Sequence, residues 1–409
     1  MRRHLPTLSA LLVASLVAAA CASVDTETAA PTTLGTTTTT VTPSSVTTVP
    51  TATTTATAPL EEVSVSGDVD GDFLAEVAAF LSWQKDDRNP QPELPDGLAA
   101  HALSHRIEAG ESVAVTGTAA EVEDGQVGVV VTEASDVLLG SNEGNGWRIV
   151  GTHPAGGVPW FGEEPRLVMV IGSDARVGTN QQTHRADSIH ILTANPSEGT
   201  GTILGFPRDS WVSTAYGRMK FTSLMAGRGP QVMVDHVIEA WGVPVEGYVV
   251  TGFEGFEDMM GQIGYLPITL PRSVPTQAWW DGWPAGLQTL SPQRTLEYSR
   301  TRKGIPGGDL TRSANQGLVM LAVLQLLQMN DIVDTPEIVA LLLDHTWTSL
   351  SPTDLIQLGA TIHTLDPSTI TNVVVPGTLG QAGAASVVRL TPRVDELLAD
   401  LADDGLLAE

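Results

Sequence analysis

Four short stretches of the sequence set arginine close to aspartate: Gly172-Ser173-Asp174-Ala175-Arg176, Arg185-Ala186-Asp187, Pro207-Arg208-Asp209, and Arg300-Thr301-Arg302 leading to Asp309, Arg312 and Gln316. A guanidinium is a planar fork that matches phosphate oxygens, and carboxylates hold hard divalent cations. Together these residue types predict a site for phosphate or diphosphate with a metal. The composition sharpens the point. The 409-residue chain carries 21 Lys+Arg against 47 Asp+Glu, a net charge of −26, yet thirteen of its cations fall between Arg166 and Arg312. So acidic a protein excludes nucleic acid as a partner, because counterion release requires a basic surface, and it excludes electrostatic adhesion to anionic lipid.

The elements that must position these side chains read as alternating strands and helices from about residue 164. Apolar runs at 167–171, 188–193 and 203–206 predict buried strands, followed by a helix at 231–241, a strand at 245–250 and a helix at 253–263. Asp174 then falls at a strand's C-terminal end, where open α/β sheets place ligands. Arg185 and Asp187 just precede the second strand, and Arg208 and Asp209 close the third. Ser291-Pro292 predicts an N-cap followed by proline at the first helical position, opening a helix to about 302. Arg300 and Arg302 converge only if that helix stops there, as Gly304, Pro306, Gly307 and Gly308 predict. The next helix, about 311–329, brings Arg312 and Gln316 onto one face, with Asp309 near its start. Two arginines at the end of one helix, facing the positively polarised start of another, suit a diphosphate. Ser351-Pro352 and Thr391-Pro392 predict caps for two more helices, with a strand at 370–375 between them. The fold class is α/β: an α/β/α sandwich with a mixed central sheet over 164–405.

A small α+β domain at 62–158 is expected to precede it. A helix from Asp72 sets Phe73, Val77, Phe80 and Leu81 on one face, and β-type runs follow at 112–122, 127–132 and 147–151, with Asp124-Gly125 turning between the first two. Asp68, Asp70 and Asp72 alternate as in a calcium loop, but Phe73 and Ala79 stand where that loop needs glycine and a bidentate glutamate. An acidic turn capping the helix is expected instead. Residues 22–60 are Thr-rich and too poor in apolar side chains to fold, a disordered tether. Residues 1–21 read as an export signal: Met1-Arg2-Arg3-His4, an apolar run at 8–20 too short to span a bilayer, then Cys21, the sole cysteine. The small residues before Cys21 resemble a bacterial lipobox, at which the cysteine is lipidated. The alternative is an ordinary signal cleaved after an Ala-x-Ala site. A lipidated Cys21 anchors the exported protein to the outer face of the cytoplasmic membrane, on the cell-wall side.

The ordered set Gly-Ser-Asp at 172–174, Arg-x-Asp-Ser-Ile at 185–189, Phe-Pro-Arg-Asp-Ser at 206–210, Lys220, Arg-x-Arg at 300–302 and Asp-Leu-x-Arg-x-x-x-Gln at 309–316 resembles the LytR-CpsA-Psr family of cell-wall phosphotransferases. The resemblance runs from about 166 to 316, and the helices and Val-Val-Val-Pro strand beyond resemble that family's C-terminal part. It implies transfer of a glycopolymer from a polyprenyl-diphosphate carrier to peptidoglycan, with both molecules as partners; the membrane is a partner through the lipid anchor at Cys21. It further implies Mg2+, with Mn2+ as an alternative, on Asp174 and Asp187. Arg185, Arg208, Arg300 and Arg302 become the diphosphate clamp, with Gln316 beside it. Asp309 and Arg312 become supporting or phosphate-touching residues, and Lys220 a phosphate contact. The base that deprotonates the acceptor is left among Asp187, Asp309 and the substrate itself.

The sequence departs from the family where Lys220-Phe221-Thr222-Ser223 leads to Gly227-Arg228-Gly229 and where Ile263-Gly264-Tyr265-Leu266 replaces a Gly-Gly-Val. Neither departure touches the metal or arginine set. Water as acceptor would make the same site a polyprenyl-diphosphate pyrophosphatase. Binding without turnover would make the protein a holder of lipid-linked intermediates. The carrier lipid needs an apolar tunnel, which helix 253–263 with Met259 and Met260 either lines or, as an ordinary core helix, does not. Trp279-Trp280-Asp281-Gly282-Trp283 reads as a sugar platform, a lid or a buried segment.

Overall fold

The computed structural model describes residues 59–176, 178–277 and 281–407. The signal at 1–21, Cys21, the tether up to residue 58, and Trp279 and Trp280 lie outside the described residues.

The first part of the chain forms a five-stranded sheet. Ser64–Gly67 runs parallel to Ser112–Val122, which continues antiparallel through Gly125–Thr132, Val137–Asn142 and Trp147–His153. Asp70 caps the helix Gly71–Lys85, accepting the backbone N–H groups of Asp72 and Phe73, so the alternating aspartates terminate a helix as expected. Phe73, Val77, Phe80 and Leu81 bury one helix face on the sheet. The Phe73 ring stacks on Trp147 at 4.5 Å between centroids. It lies over Gly128, where a β-carbon would come within 2.6 Å of it. The sheet's other face is not free. Val127, Val129, Val137, Leu139 and Val150 share a core with Phe161, Ile356 and Ala360, and the buried Gln357 side chain donates to the Val150 carbonyl at 2.6 Å. The helix Pro352–Thr361 therefore belongs to both regions, and residues 59–407 pack continuously.

The second sheet has six strands in the order Trp347–Thr348, Gly247–Thr251, Arg166–Ser173, Ala186–Asn195, Thr200–Gly205 and Thr371–Val374. It is mixed: Gly247–Thr251 is parallel to Arg166–Ser173 and Thr371–Val374 to Thr200–Gly205, while the other neighbours are antiparallel. Alternation along the strands separates two faces. Leu167, Met169, Ile171, Ile189, Ile191 and Leu204 pack against the helices Gln231–Trp241 and Arg393–Asp404. Val168, Val170, Leu192 and Ile203 face the other way, toward the helices Phe253–Ile263, Pro292–Arg300, Asp309–Leu327, Thr335–Leu343 and Pro352–Thr361. This is an α/β/α sandwich with a mixed sheet.

Helix boundaries follow local chemistry. Ser291 accepts from Arg294 N–H, and Ser351 forms a reciprocal capping box with Asp354. Thr391 is a correction: it does not cap. Pro392 holds the N-cap position of Arg393–Asp404 with no side-chain cap bond, and the Thr391 hydroxyl turns to the Pro376 carbonyl instead. No single described helix is long and apolar enough to cross a bilayer. Asp309–Leu327 and the segment after it approach that composition as a bent pair, because Val319, Met320, Val323 and Leu327, with Val339 and Leu342, wall an internal cavity.

Candidate active site

Asp174 and Asp187 emerge at the same end of one strand pair. Asp174 follows the strand Arg166–Ser173, and its backbone N–H donates to the Arg185 carbonyl at 2.9 Å. Its carboxylate accepts the Arg185 N–H, also at 2.9 Å, which locks the two chains together beyond the last strand pairing. Asp187 lies inside its strand, not before it. Gly172 pairs with Ser188 and Ser173 with Ala186, so Asp187 is the extra residue of a bulge. A bulge re-aims one side chain. Here it leaves Asp187 Oδ1 accepting from Arg208 Nη1 at 2.5 Å.

Arg208 sits in the turn after Thr200–Gly205, opposite that bulge. Its Nε is buried and makes no hydrogen bond, and it stands 4.0 Å from Asp209 Oδ1. Burial works against its charge, but Asp187, Asp209 and Asp309 outweigh that and raise the guanidinium above its ordinary value. Lys220 ends the ribbon made by Trp211–Thr214 and Gly217–Lys220, and donates to Asp209 Oδ1 at 3.0 Å. Asp209 in turn offers its backbone N–H to Asp309 Oδ2 at 3.4 Å. Asp209 stands in a motif read from the sequence, but its role in holding Lys220 had no sequence signal.

The helix Pro292–Arg300 stops where the glycines predict, leaving Arg300 in its last turn and Arg302 just beyond; both are exposed. Arg300 lies over the Phe253 ring at 4.4 Å, an aromatic partner that spacing alone did not reveal. The following helix begins at Asp309, two residues earlier than its periodicity suggests, and Arg312 in its first turn pairs with the Asp309 carboxylate. Arg312 is only 5% exposed. Burial pulls it below its ordinary value; Asp309 and Asp187 support its charge, while Arg208 and Arg302 repel it. Gln316 stands one turn further along.

His190 sets the distance between this helix and the sheet. It is fully buried; its Nε2 meets the Ser313 carbonyl at 3.0 Å and its Nδ1 the Ser188 hydroxyl at 3.1 Å. A carbonyl only accepts, so Nε2 carries the proton and Nδ1 accepts from Ser188. Burial lowers the imidazole to about 4 from the ordinary 6.5. Unfolded, the ring takes up a proton as pH falls through 6.5; folded, it stays neutral until about 4. The unfolded state thus binds more protons across that window, and stability falls with pH by on the order of 3 kcal/mol in all. Denaturant unfolding of wild type and His190→Asn from pH 7 to 4 should show the variant losing less. Parallel pH profiles would contradict this account.

These groups meet at a cavity of about 590 Å³. Arg166 lines it where its central strand begins, and Gly172 and Ser173 where that strand ends, so the cavity follows a strand of roughly 23 Å. Between lie apolar side chains, among them Val168, Leu192, Met320 and Val323. At the Ser173 end the lining is Asp187, Arg208, Arg300, Arg302, Arg312 and Gln316. Phe253, Phe256 and Met259 also line it, while Met260 is buried in the core behind them, so helix Phe253–Ile263 serves both as wall and as core. Asp174, Arg185, Lys220 and Asp309 do not line the cavity; Asp174 and Arg185 are at least partly exposed, while the Asp309 side chain is nearly buried beside Arg312. Trp283 is buried against Tyr298 and under Arg294, which removes it as a sugar platform.

The donors present fit a magnesium-type ion. Among the described residues no three His, Cys, Asp or Glu side chains form a metal cage. Asp174 and Asp187 are partly accessible, at 32% and 23% exposure, and offer hard oxygen donors that phosphate oxygens and water can complete.

A family model described as the LytR_cpsA_psr family matches residues 160–403. The polyisoprenyl-teichoic acid–peptidoglycan teichoic acid transferase TagU of Bacillus subtilis (strain 168) is 30% identical over 166 residues, 40% of this chain and 52% of that protein. TagT of the same organism, a transferase of the same description, is 30% identical over 190 residues, covering 42% and 58%. The chain thus spans about half the length of the curated relatives it matches. The crystal structure of B. subtilis TagV superposes with a TM-score of 0.53 at 20% identity, over 60% of this chain and 98% of that one, a likeness of fold.

Proposed function

The chain belongs to the LytR_cpsA_psr family, and from that premise we propose that it transfers a glycopolymer from a polyprenyl-diphosphate carrier to peptidoglycan through a phosphodiester link. One observation carries the reading: a single apolar cavity ends on a cluster of four arginines. A lipid-linked diphosphate requires both halves at once. Its hydrocarbon gains about 0.8 kcal/mol for each CH₂ removed from water, and its phosphates need fixed cations at the exit. The described activity of the relatives supports the reaction class.

In this reading the acceptor hydroxyl attacks the sugar-bearing phosphorus. A new P–O bond forms as the bond to the bridging oxygen breaks, and the electron pair leaves with polyprenyl phosphate. Arg208, Arg300 and Arg302, which line the cavity end, stabilise the charge that develops on the phosphate oxygens. Arg312 and Gln316 close the cavity end beneath them, and Arg185 and Lys220 stand outside its lining. The acceptor proton goes to the second oxygen of Asp187, which has no described partner, or to a phosphate oxygen. Asp309 is poorly suited, since one oxygen is held by Arg312 and the other by the Asp209 N–H. A magnesium or manganese ion on Asp174 and Asp187 would, when bound, draw charge from the same phosphates. The reading includes an exported protein tethered through Cys21 at the outer face of the cytoplasmic membrane, supported by the apolar run at 8–20 and its sole cysteine.

Full-length protein in detergent, given a polyprenyl-diphosphate glycan, Mg2+ and peptidoglycan oligomers, should form a covalent glycan–peptidoglycan product, and chelation should stop it reversibly. Free phosphates without a linked product would make it a hydrolase, and binding without turnover a carrier. The cavity's part is separable. Val323→Trp should raise KM for a long-chain donor about tenfold or more, as expected from losing a few buried methylenes, while leaving a short-chain donor unaffected. Equal effects on both donors would remove the lipid from the cavity.

A further inference from the structure

The surface outside the cavity has a charge pattern that diphosphate binding leaves unused. In a chain with 47 acidic residues, the segments 178–186 and 210–234 contain none. The structure joins them, because the Gly227 N–H donates to the Thr183 carbonyl at 2.9 Å. The second segment includes the ribbon Trp211–Thr214 and Gly217–Lys220, whose register pairs Lys220 with Trp211 and Arg218 with Ser213. Arg218 and Lys220 are two apart and share a ribbon face. Lys220 points inward to Asp209, so Arg218 extends the cationic track outward by one strand repeat. At the ribbon's turn stands Tyr216, 56% exposed, with the Arg228 guanidinium over its ring at 4.4 Å. The stack braces an aromatic ring while leaving much of it open to solvent.

Reaction geometry assigns this surface an occupant. In-line displacement puts the attacking oxygen opposite the leaving one, and the leaving polyprenyl phosphate belongs to the cavity. The acceptor therefore approaches from outside the cavity, which Asp174, Arg185 and Lys220 do not line, and the ribbon continues from Lys220 toward Tyr216. Resting on the transferase reading, we propose that Tyr216, Arg218 and Arg228 form the acceptor subsite, taking a peptidoglycan strand with a sugar ring against Tyr216 and its stem-peptide carboxylates on Arg218 and Arg228. An otherwise acidic protein needs such an acid-free track to receive a polyanion.

The test holds the lipid-linked donor saturating and varies a carboxylate-bearing peptidoglycan oligomer. Tyr216→Ala and the double variant Arg218→Glu/Arg228→Glu should each raise acceptor KM about tenfold or more at nearly unchanged kcat, with donor affinity unchanged, and Tyr216→Phe should retain wild-type KM. Unchanged donor affinity also shows that the variants are folded. An acceptor KM that stays at the wild-type value in both variants overturns the inference while leaving the transferase reading intact. Loss of donor affinity instead overturns it by assigning the surface to the donor glycan. Wild-type protein that forms no covalent product overturns both.

Discussion

Arg208→Ala is expected to lower kcat about 10²- to 10³-fold, the loss typical of removing one preorganised donor aimed at a developing oxyanion. The expectation rests on position. Arg208 lines the cavity end and holds Asp187 at 2.5 Å, so it organises a proposed metal ligand while its guanidinium faces the space the phosphate would take. Arg208→Lys should recover little, because an ammonium cannot hold Asp187 and present a second directed N–H in the same plane. Arg300→Ala should cost less, since its guanidinium is exposed and stacked on Phe253. Steady-state transfer kinetics on the three variants checks this. An Arg208→Ala protein with near wild-type kcat would place the chemistry elsewhere.

The largest effect on stability is expected at the other end of the cavity. Arg166 is 3% exposed; it pairs with Glu246 at 2.7 Å and donates to the Phe161 carbonyl and Gln357 Oε1. It joins the central strand to Glu246 and to the helix Pro352–Thr361, which also packs on the five-stranded sheet. Arg166→Met should destabilise the fold by about 3 kcal/mol, the lower part of the range for breaking a buried pair, because Glu246 keeps some access to water. Equilibrium urea unfolding measures it. A loss below about 1 kcal/mol, as for a surface pair, would show that this network does not brace the two regions.

Much of the sheet was legible because buried strands and amphipathic helices leave strong periodic signals: Gln231–Trp241 and Phe253–Ile263 have the expected limits. Serine caps were legible at 291 and 351 because a hydroxyl before proline has few other uses there. Thr391 failed for a tertiary reason, as the Pro376 carbonyl competes for its hydroxyl. Val137–Asn142 passed unnoticed because it is buried on both faces and carries glycine and polar residues where alternation is sought. The ribbons around 211–220 and 377–390 are short, and their pairing depends on register that no local pattern encodes.

The site divides the same way. Residue types and order pointed to a set of arginines and aspartates of which the structure brings Asp187, Arg208, Arg300, Arg302 and Arg312 to the cavity, and the glycines after Arg302 marked the end of the helix that carries Arg300. The bulge at Asp187 was not legible, since one extra residue in a ladder is a relation between strands. The cavity was not legible either. Apolar periodicity shows which helix faces turn inward, but not whether side chains from opposite sides meet or leave a space.

If phosphorus moves from lipid to wall polymer at this site, product stoichiometry will reveal it. With a donor labelled separately in its two phosphates, each covalent linkage to peptidoglycan should retain the sugar-proximal phosphate and release one polyprenyl monophosphate carrying the other. Linked glycan without phosphate, or polyprenyl phosphate released with only free glycan phosphate beside it, would contradict the account.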